Sequence, residues 1–184
     1  MKDVHIGLDI STSVIGISIL DPEGELFDLR CIKFNSNKQT FWEKTDSVKK
    51  FMLDLSDEFN VKQVFVEENL QKFRPGFSSA KTLTTLAKMN GIVSFIAHDI
   101  FNVIPFNVKV NSARKVLGIE INRKAKTYKT KQQVFDQVRD RIKYDWPQKV
   151  LRGGPNKGKT IFDNSCYDMA DAWVVCKAGQ LLSY

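Results

Sequence analysis

Val4-His5-Ile6-Gly7-Leu8-Asp9-Ile10, then Ser11-Thr12-Ser13, then Val14-Ile15-Gly16-Ile17-Ser18-Ile19-Leu20 is the stretch on which the fold turns. Two apolar runs rich in β-branched residues flank a short Ser/Thr turn, so they read as paired strands. Asp21-Pro22-Glu23-Gly24 is a second turn signal, and Glu25–Phe34 follows as a third, more alternating strand. The result is an antiparallel meander with Asp9 closing its first strand.

The periodicity then changes. Phe41–Phe59 repeats Trp42, Val48, Phe51, Met52, Leu55 and Phe59 at helical spacing, with the aromatics assigned to the core. Val61–Val66 is a short apolar strand after a helix, and so is expected to run parallel to the first strand. A long helix is predicted from Ser78 to His98, with Leu83, Leu86, Ala87, Ile92 and Phe95 facing inward. Asn102–Asn107 reads as a strand, and Val110–Leu117 and Lys131–Ile142 as helices around a basic loop. Tyr144–Asn164 is Pro/Gly-rich and polar and reads as an exposed loop. Ser165–Leu182 closes the chain as an amphipathic helix.

Four acids stand out against this pattern. Asp9 ends the first strand, Glu67 and Glu68 end Val64-Phe65-Val66, and Asp168 and Asp171 lie in the closing helix. The i, i+3 spacing puts Asp168 and Asp171 on one helix face. Asp171 falls among Met169, Ala170, Ala172, Trp173, Val174 and Val175, where an unpaired carboxylate is unfavourable and coordination to a cation removes the penalty. Taken singly, each acid also reads as a turn-stabilising Asp, a strand flank or a solvated helix face. Together, carboxylates arriving from strand ends and a helix can hold two Mg²⁺ ions about 3.5–4 Å apart, the arrangement that hydrolyses phosphodiesters.

The charge distribution agrees with a polyanionic partner. The chain has 184 residues, a length that fits one domain, 1–184, and a net charge of +7. Lys109 to Lys159 holds fifteen Lys/Arg and four Asp/Glu, leaving the remainder mildly acidic. A basic third on an acidic body points to nucleic acid met on one face. Cys31, Cys166 and Cys176 contain no Cys-x-x-Cys pair and, with only His5 and His98 beside them, read as free thiols without a structural zinc. No run of 18 apolar residues and no signal-peptide pattern is present, so the expectation is a soluble intracellular protein, in a DNA-containing compartment, with no membrane partner.

The order β-β-β-α-β-α-β-α is that of the ribonuclease-H-like fold, an α/β fold with a mixed five-stranded sheet and helices on both faces. The chain resembles the RuvC-type Holliday-junction resolvases over nearly its whole length. Ile6-Gly7-Leu8-Asp9 with Gly16 resembles their first-strand motif, and Phe65-Val66-Glu67-Glu68 their fourth-strand ending. Asp168-Met169-Ala170-Asp171-Ala172 resembles their closing Asp-x-x-Asp-Ala helix. Ser112-Ala113-Arg114-Lys115-Val116-Leu117-Gly118 and Lys131-Gln132-Gln133-Val134 resemble the stretch before it. The resemblance selects Glu67 over Glu68, which periodicity leaves equal. It implies a homodimeric endonuclease using Mg²⁺ or Mn²⁺, two ions per site, on branched DNA, chiefly four-way junctions, with 5′-phosphate and 3′-hydroxyl products. Asp9 and Asp171 would be central ligands, Glu67 and Asp168 would complete the set, and Lys131 would stabilise charge near the scissile phosphate.

Other parts depart from that pattern. Asn69 and Leu70 follow the glutamates where family members often carry an aromatic. Phe73 and Phe77, beside Arg74, come later and read either as wedges that stack on opened bases or as loop anchors. Arg114, Lys115, Arg123, Lys124, Lys126, Lys149, Arg152, Lys157 and Lys159 are candidate DNA contacts, or a solvated basic surface. Gly153-Gly154-Pro155-Asn156-Lys157-Gly158-Lys159-Thr160 matches the phosphate-binding P-loop string, but Trp146-Pro147-Gln148-Lys149 precedes it in place of a buried strand, Ile161-Phe162-Asp163-Asn164 follows it directly, and no room remains for a downstream α/β core. Asp9-Ile10-Ser11-Thr12-Ser13 with Gly16 also resembles the phosphate loop of actin-like ATPases, which need two such domains. A non-catalytic DNA-binding protein on the same fold also competes, and within nucleases a broader branched-DNA or RNA–DNA hybrid nuclease stays open.

Overall fold

The Ser11-Thr12-Ser13 turn closes its hairpin through one side chain. Ser11 Oγ accepts from the Val14 amide at 3.0 Å and donates to the Val14 carbonyl at 2.6 Å. The computed structural model describes residues 1–35, 38–68, 80–125 and 128–183. Strands β1 (Lys2–Ile10), β2 (Val14–Leu20), β3 (Leu26–Lys33), β4 (Phe59–Glu67) and β5 (Phe106–Val108) form one sheet in the order β3-β2-β1-β4-β5. The meander is antiparallel, whereas β4 pairs parallel to both β1 and β5. Helices α1 (Phe41–Glu58), α2 (Ala80–Phe101), α3 (Val110–Val116), α4 (Thr130–Arg139) and α5 (Ser165–Leu182) flank it, and β6 (Gln148–Val150) pairs with β7 (Thr160–Phe162) as a separate ribbon. This is the expected ribonuclease-H-like arrangement.

Strand alternation divides the core. Val4, Ile6 and Leu8 pack on one face with Val48, Met52 and Leu55 of α1 and Met89 and Val93 of α2. The intervening residues of β1, with Gly16, Ser18 and Phe65, meet α5. There the helix lies against the sheet without intervening side chains. A Cβ on Gly7 would collide with the Ala172 carbonyl and Cys176, and one on Gly16 with the Asp168 backbone. Ser18 Oγ donates to the Ala172 carbonyl at 2.9 Å, fixing the helix in register.

Several expectations need correction. Trp42 is 68% exposed, because the Thr40–Glu43 capping box turns it outward at the first turn of α1, where it meets Phe41 edge-to-face. The inward stripe of α2 is Met89, Val93, Ile96 and Ala97, whereas Ala87 is exposed and Phe95 is 65% exposed. That helix is apolar around much of its circumference, so periodicity alone did not choose the stripe. It also continues to Phe101, ends where Asn102 adopts a left-handed φ of 53°, and shifts β5 to Phe106–Val108. The segment 144–164 is not simply a loop. Its polar, glycine-rich middle is the tip of the β6–β7 ribbon, and its aromatic ends are structural: Trp146 is buried against Phe135, with ring centroids 4.9 Å apart. No helix among the described residues is long and apolar enough to cross a membrane, and all three cysteines are free.

The close approach of α5 predicts opposite effects at two glycines. Gly16→Ala must push the Asp168 backbone off β2 and should destabilise by about 1–3 kcal/mol, as overpacking does. Gly91→Ala lies in α2 with open space around it and should stabilise by roughly 0.5–1 kcal/mol. Thermal denaturation of the two variants should move the midpoint in opposite directions; equal midpoints would contradict this packing.

Candidate active site

Parallel pairing of β1 and β4, with Leu8 opposite Val66, brings the carboxyl ends of the two strands together. Asp9 and Glu67 project from the α5-facing side of those ends, and their carboxyls share a hydrogen bond. Asp168 and Asp171 descend from the first two turns of α5. Lys131, in the first turn of α4, donates to Asp168 Oδ1 at 2.8 Å and lies 3.9 Å from Asp171 Oδ2. Arg114 on α3 is within electrostatic reach of Glu67 and Asp171. Four acids and two cations from β1, β4, α3, α4 and α5 therefore meet at one end of the sheet.

Burial dominates their chemistry. It raises Asp9 well above the ordinary carboxylate range, and the charges of Glu67 and Asp171 add to the effect. Burial also raises Glu67, opposed by the Asp9 hydrogen bond and by Arg114 and Lys131. Asp171 is pushed up to about 7, again mainly by burial, with Lys131 and Arg114 opposing and Glu67 reinforcing. For Lys131 burial disfavours the ammonium, but the Asp168 hydrogen bond and the surrounding acids outweigh it and raise its pKa. Burial thus disfavours the charged forms of Asp9, Glu67 and Asp171, and the Glu67 charge adds to this at Asp9 and Asp171.

This donor set fits a hard divalent cation in type: carboxylate oxygens, buried, with a surplus of negative charge. It is not a closed cage. Among the described residues no three His, Cys, Asp or Glu side chains are arranged as ligands around one point, and the Lys131 ammonium lies between Asp168 and Asp171.

The remaining sequence candidates scatter. Glu68 follows the strand, and its amide donates to the Val108 carbonyl at 2.9 Å. Lys115, Arg123 and Lys124 are exposed near α3 and the following turn. Lys149 pairs with Asp163 at 3.8 Å, and Arg152, Lys157 and Lys159 are exposed in the β6–β7 tip. Phe73, Arg74, Phe77 and Lys126 lie outside the described residues. The P-loop-like string is the ribbon tip, joining two three-residue strands instead of a strand to a helix.

Two supporting residues escaped the sequence reading. Asn90, buried on α2, donates to the Glu67 carbonyl at 3.1 Å and fixes the end of β4; an Asn inside an apolar helical stripe was the available signal. Asp163 accepts from the Ser165 amide at 3.0 Å and its hydroxyl at 2.7 Å, capping α5, and from Lys33 at 2.8 Å. The Lys33 hydrogen bond, then that of the Ser165 amide, holds its carboxyl below the usual range. An Asp two residues before a Ser at a helix start was its signal.

No family model and no curated protein matches the sequence. Solved structures do match. A Thermus thermophilus RuvC structure in complex with Holliday junction substrate aligns at TM-score 0.65 and 15% identity, covering 98% of this chain and 94% of that one. A second Thermus thermophilus RuvC structure aligns at 0.62 and 16%, covering 98% and 95%. A yeast mitochondrial Holliday junction resolvase aligns at 0.53 and 12%, covering 98% and 80%. The fold is that of the RuvC-type resolvases, as the motifs led us to expect.

The electrostatics predict a pH dependence. Because Asp9, Glu67 and Asp171 have raised pKa values in the folded protein, folding binds protons at these groups. Their contribution is fully present below about pH 4, the unfolded carboxylate range, and is lost as pH rises through the raised values, to about 7 for Asp171. Asp171→Asn removes one such group. The metal-free variant should therefore gain thermal stability over the parent at about pH 8 and show a smaller difference at about pH 5. A variant less stable than the parent at pH 8 would mean the carboxylate is held by contacts that compensate its charge.

Proposed function

We propose that this chain is a divalent-metal-dependent endonuclease that resolves four-way DNA junctions. It would nick two opposed strands symmetrically and leave 5′-phosphate and 3′-hydroxyl ends. The observation that carries the reading is the meeting of Asp9, Glu67, Asp168 and Asp171 beside Lys131. The shared fold of the RuvC structures and the strongly basic 109–159 region support it.

Asp9 and Asp171 would hold Mg²⁺ or Mn²⁺ centrally, with Glu67 and Asp168 completing a two-ion site. A bound divalent cation supplies positive charge at the scissile phosphate and water of lowered pKa. Asp9 and Asp171 are kept from bulk water, so their attraction for a cation is only weakly screened. Asn90 and the α5 cap at Asp163 hold the acids from behind. Lys131 already rests against Asp168 and would turn its charge toward a phosphate entering the cleft, with Arg114 the second cation. Lys115, Arg123, Lys124 and Lys126 would track the backbone, and Phe73, Arg74 and Phe77 would serve at the opened bases. A second copy would seat against the outward apolar stripe of α2 that includes Phe95, giving two sites related by a twofold axis.

Cleavage of a synthetic four-way junction, a flap, a linear duplex and an RNA–DNA hybrid, side by side with Mg²⁺, tests this. The junction should be cut well ahead of the rest. Equal rates on linear duplex would identify a general nuclease, and preference for the hybrid a ribonuclease. Asp9→Asn should lower the rate more than about 100-fold, beyond what loss of a ligand's neighbour does, while leaving junction binding intact. Glu67→Gln should be far more damaging than Glu68→Gln; the reverse ranking would exclude Glu67 as the ligand. Light scattering at micromolar protein should give a dimer, and a monomer with and without junction would rule out the paired mechanism.

A further inference from the structure

The β6–β7 ribbon is a built element with no role in the acid cluster. From Gln148 to Phe162 it carries Lys149, Arg152, Lys157 and Lys159 and not one acid. Its tip is ordered by its own backbone: the Leu151 amide donates to the Lys159 carbonyl at 3.0 Å, and the Gly158 amide to the Leu151 carbonyl at 2.8 Å. Gly154 and Gly158 supply the positive φ values, 74° and 88°, that close it. Residues 152–160 are all exposed.

The root is packed on α4 and adjoins the site. Phe162 packs on Phe135 of α4 with centroids 5.0 Å apart, and Phe135 also meets Trp146 and Tyr167. The Asp163 amide donates to the Pro147 carbonyl at 2.8 Å, joining the two ends of the ribbon. Asp163 then caps α5 five residues before Asp168. Between the starts of α4 and α5 runs a cleft lined by Lys129, Lys131, Gln132, Asn164, Tyr167 and Asp168. A nucleic-acid strand lying in that cleft passes the ribbon's root.

We infer that the β6–β7 ribbon enters the major groove of a duplex DNA arm beside the cut, so that the site accepts only a strand continuous with double helix on that side. The inference rests on the nuclease reading above. At about 3.4 Å per residue, Lys149 to Gly154 reaches at most about 17 Å, more than the ~8.5 Å depth of the B-form major groove, whose ~12 Å width admits a two-stranded ribbon. The cations meet the flanking phosphates, and the glycine-rich tip lets the backbone approach the base edges. An A-form RNA duplex has a deep, narrow major groove closed to such an element.

Binding without divalent metal tests this apart from cleavage. In one variant, residues 151–159 are replaced by Asn-Gly, which joins β6 to β7 by a two-residue turn. In a second, Arg152, Lys157 and Lys159 are all changed to Ser and the backbone is kept. By fluorescence anisotropy both should bind a four-way DNA junction at least ~10-fold more weakly, with a salt slope reduced by about 2.7 for three lost contacts. Their affinity for single-stranded DNA and for duplex RNA should change less than about twofold. Equal losses on all three ligands would overturn groove entry in favour of general electrostatics. Unchanged junction binding and slope in both variants, with the parent binding well, would remove the ribbon from the interface and leave the nuclease reading standing. A parent that binds no branched DNA would overturn both.

Discussion

Direct backbone contact between α5 and the first two strands is the constraint from which the rest follows. Gly7 and Gly16 remove the side chains that would otherwise stand between helix and sheet, and Ser18 locks the approach with a hydrogen bond to the Ala172 carbonyl. A side chain at Gly7 or Gly16 would push α5 off the sheet and move Asp168 and Asp171 away from Asp9 and Glu67. With the glycines, the first two turns of α5 rest on β2 and on β1, which carries Asp9 and pairs with β4, the strand that carries Glu67. Gly179 extends the same contact, with Phe65 filling the space its side chain would need.

That proximity creates an electrostatic problem that the fold itself does not resolve. Four carboxyls are gathered in a largely buried place, where solvation of charge is poor and like charges repel. Lys131 and Arg114 offset part of this, and the hydrogen bond between Asp9 and Glu67 offsets another part. Asp171 nonetheless remains near the neutral range, and burial with the Glu67 and Asp171 charges raises Asp9 well above its ordinary value. A structural role would be served better by apolar residues of similar size, since removing a buried charged set is often neutral or stabilising. The surplus of buried negative charge is what the proposed cation site would need.

The sheet and the four acids were legible because each rests on a local signal. The β-branched runs around Ser11-Thr12-Ser13 gave β1 and β2, and the i, i+3 spacing put Asp168 and Asp171 on one face. Glu67 was separable from Glu68 only through family resemblance; the structure adds that Glu67 shares the α5-facing side with Phe65. What stayed illegible depends on three-dimensional choices. The inward stripe of α2 could not be read from a helix apolar on several sides. Trp42 read as core because its helical spacing is correct, yet the capping box places it before the helix meets the sheet. The aromatic root of the ribbon was hidden by the glycines and lysines of its tip.

Asp163 ties these parts together. One carboxylate caps α5, pairs with Lys33 at the edge of the meander and meets Lys149 at the base of the ribbon. Its low pKa follows first from the Lys33 hydrogen bond and then from the Ser165 amide, and it stays charged whereas Asp171 is pushed up to about 7. The helix end that sets Asp168 is thus held by the same group that holds the ribbon. The start of α5 is therefore held from two sides, by Asp163 at its first turn and by the close contacts of Gly16 and Gly7 with the Asp168 and Ala172 backbone.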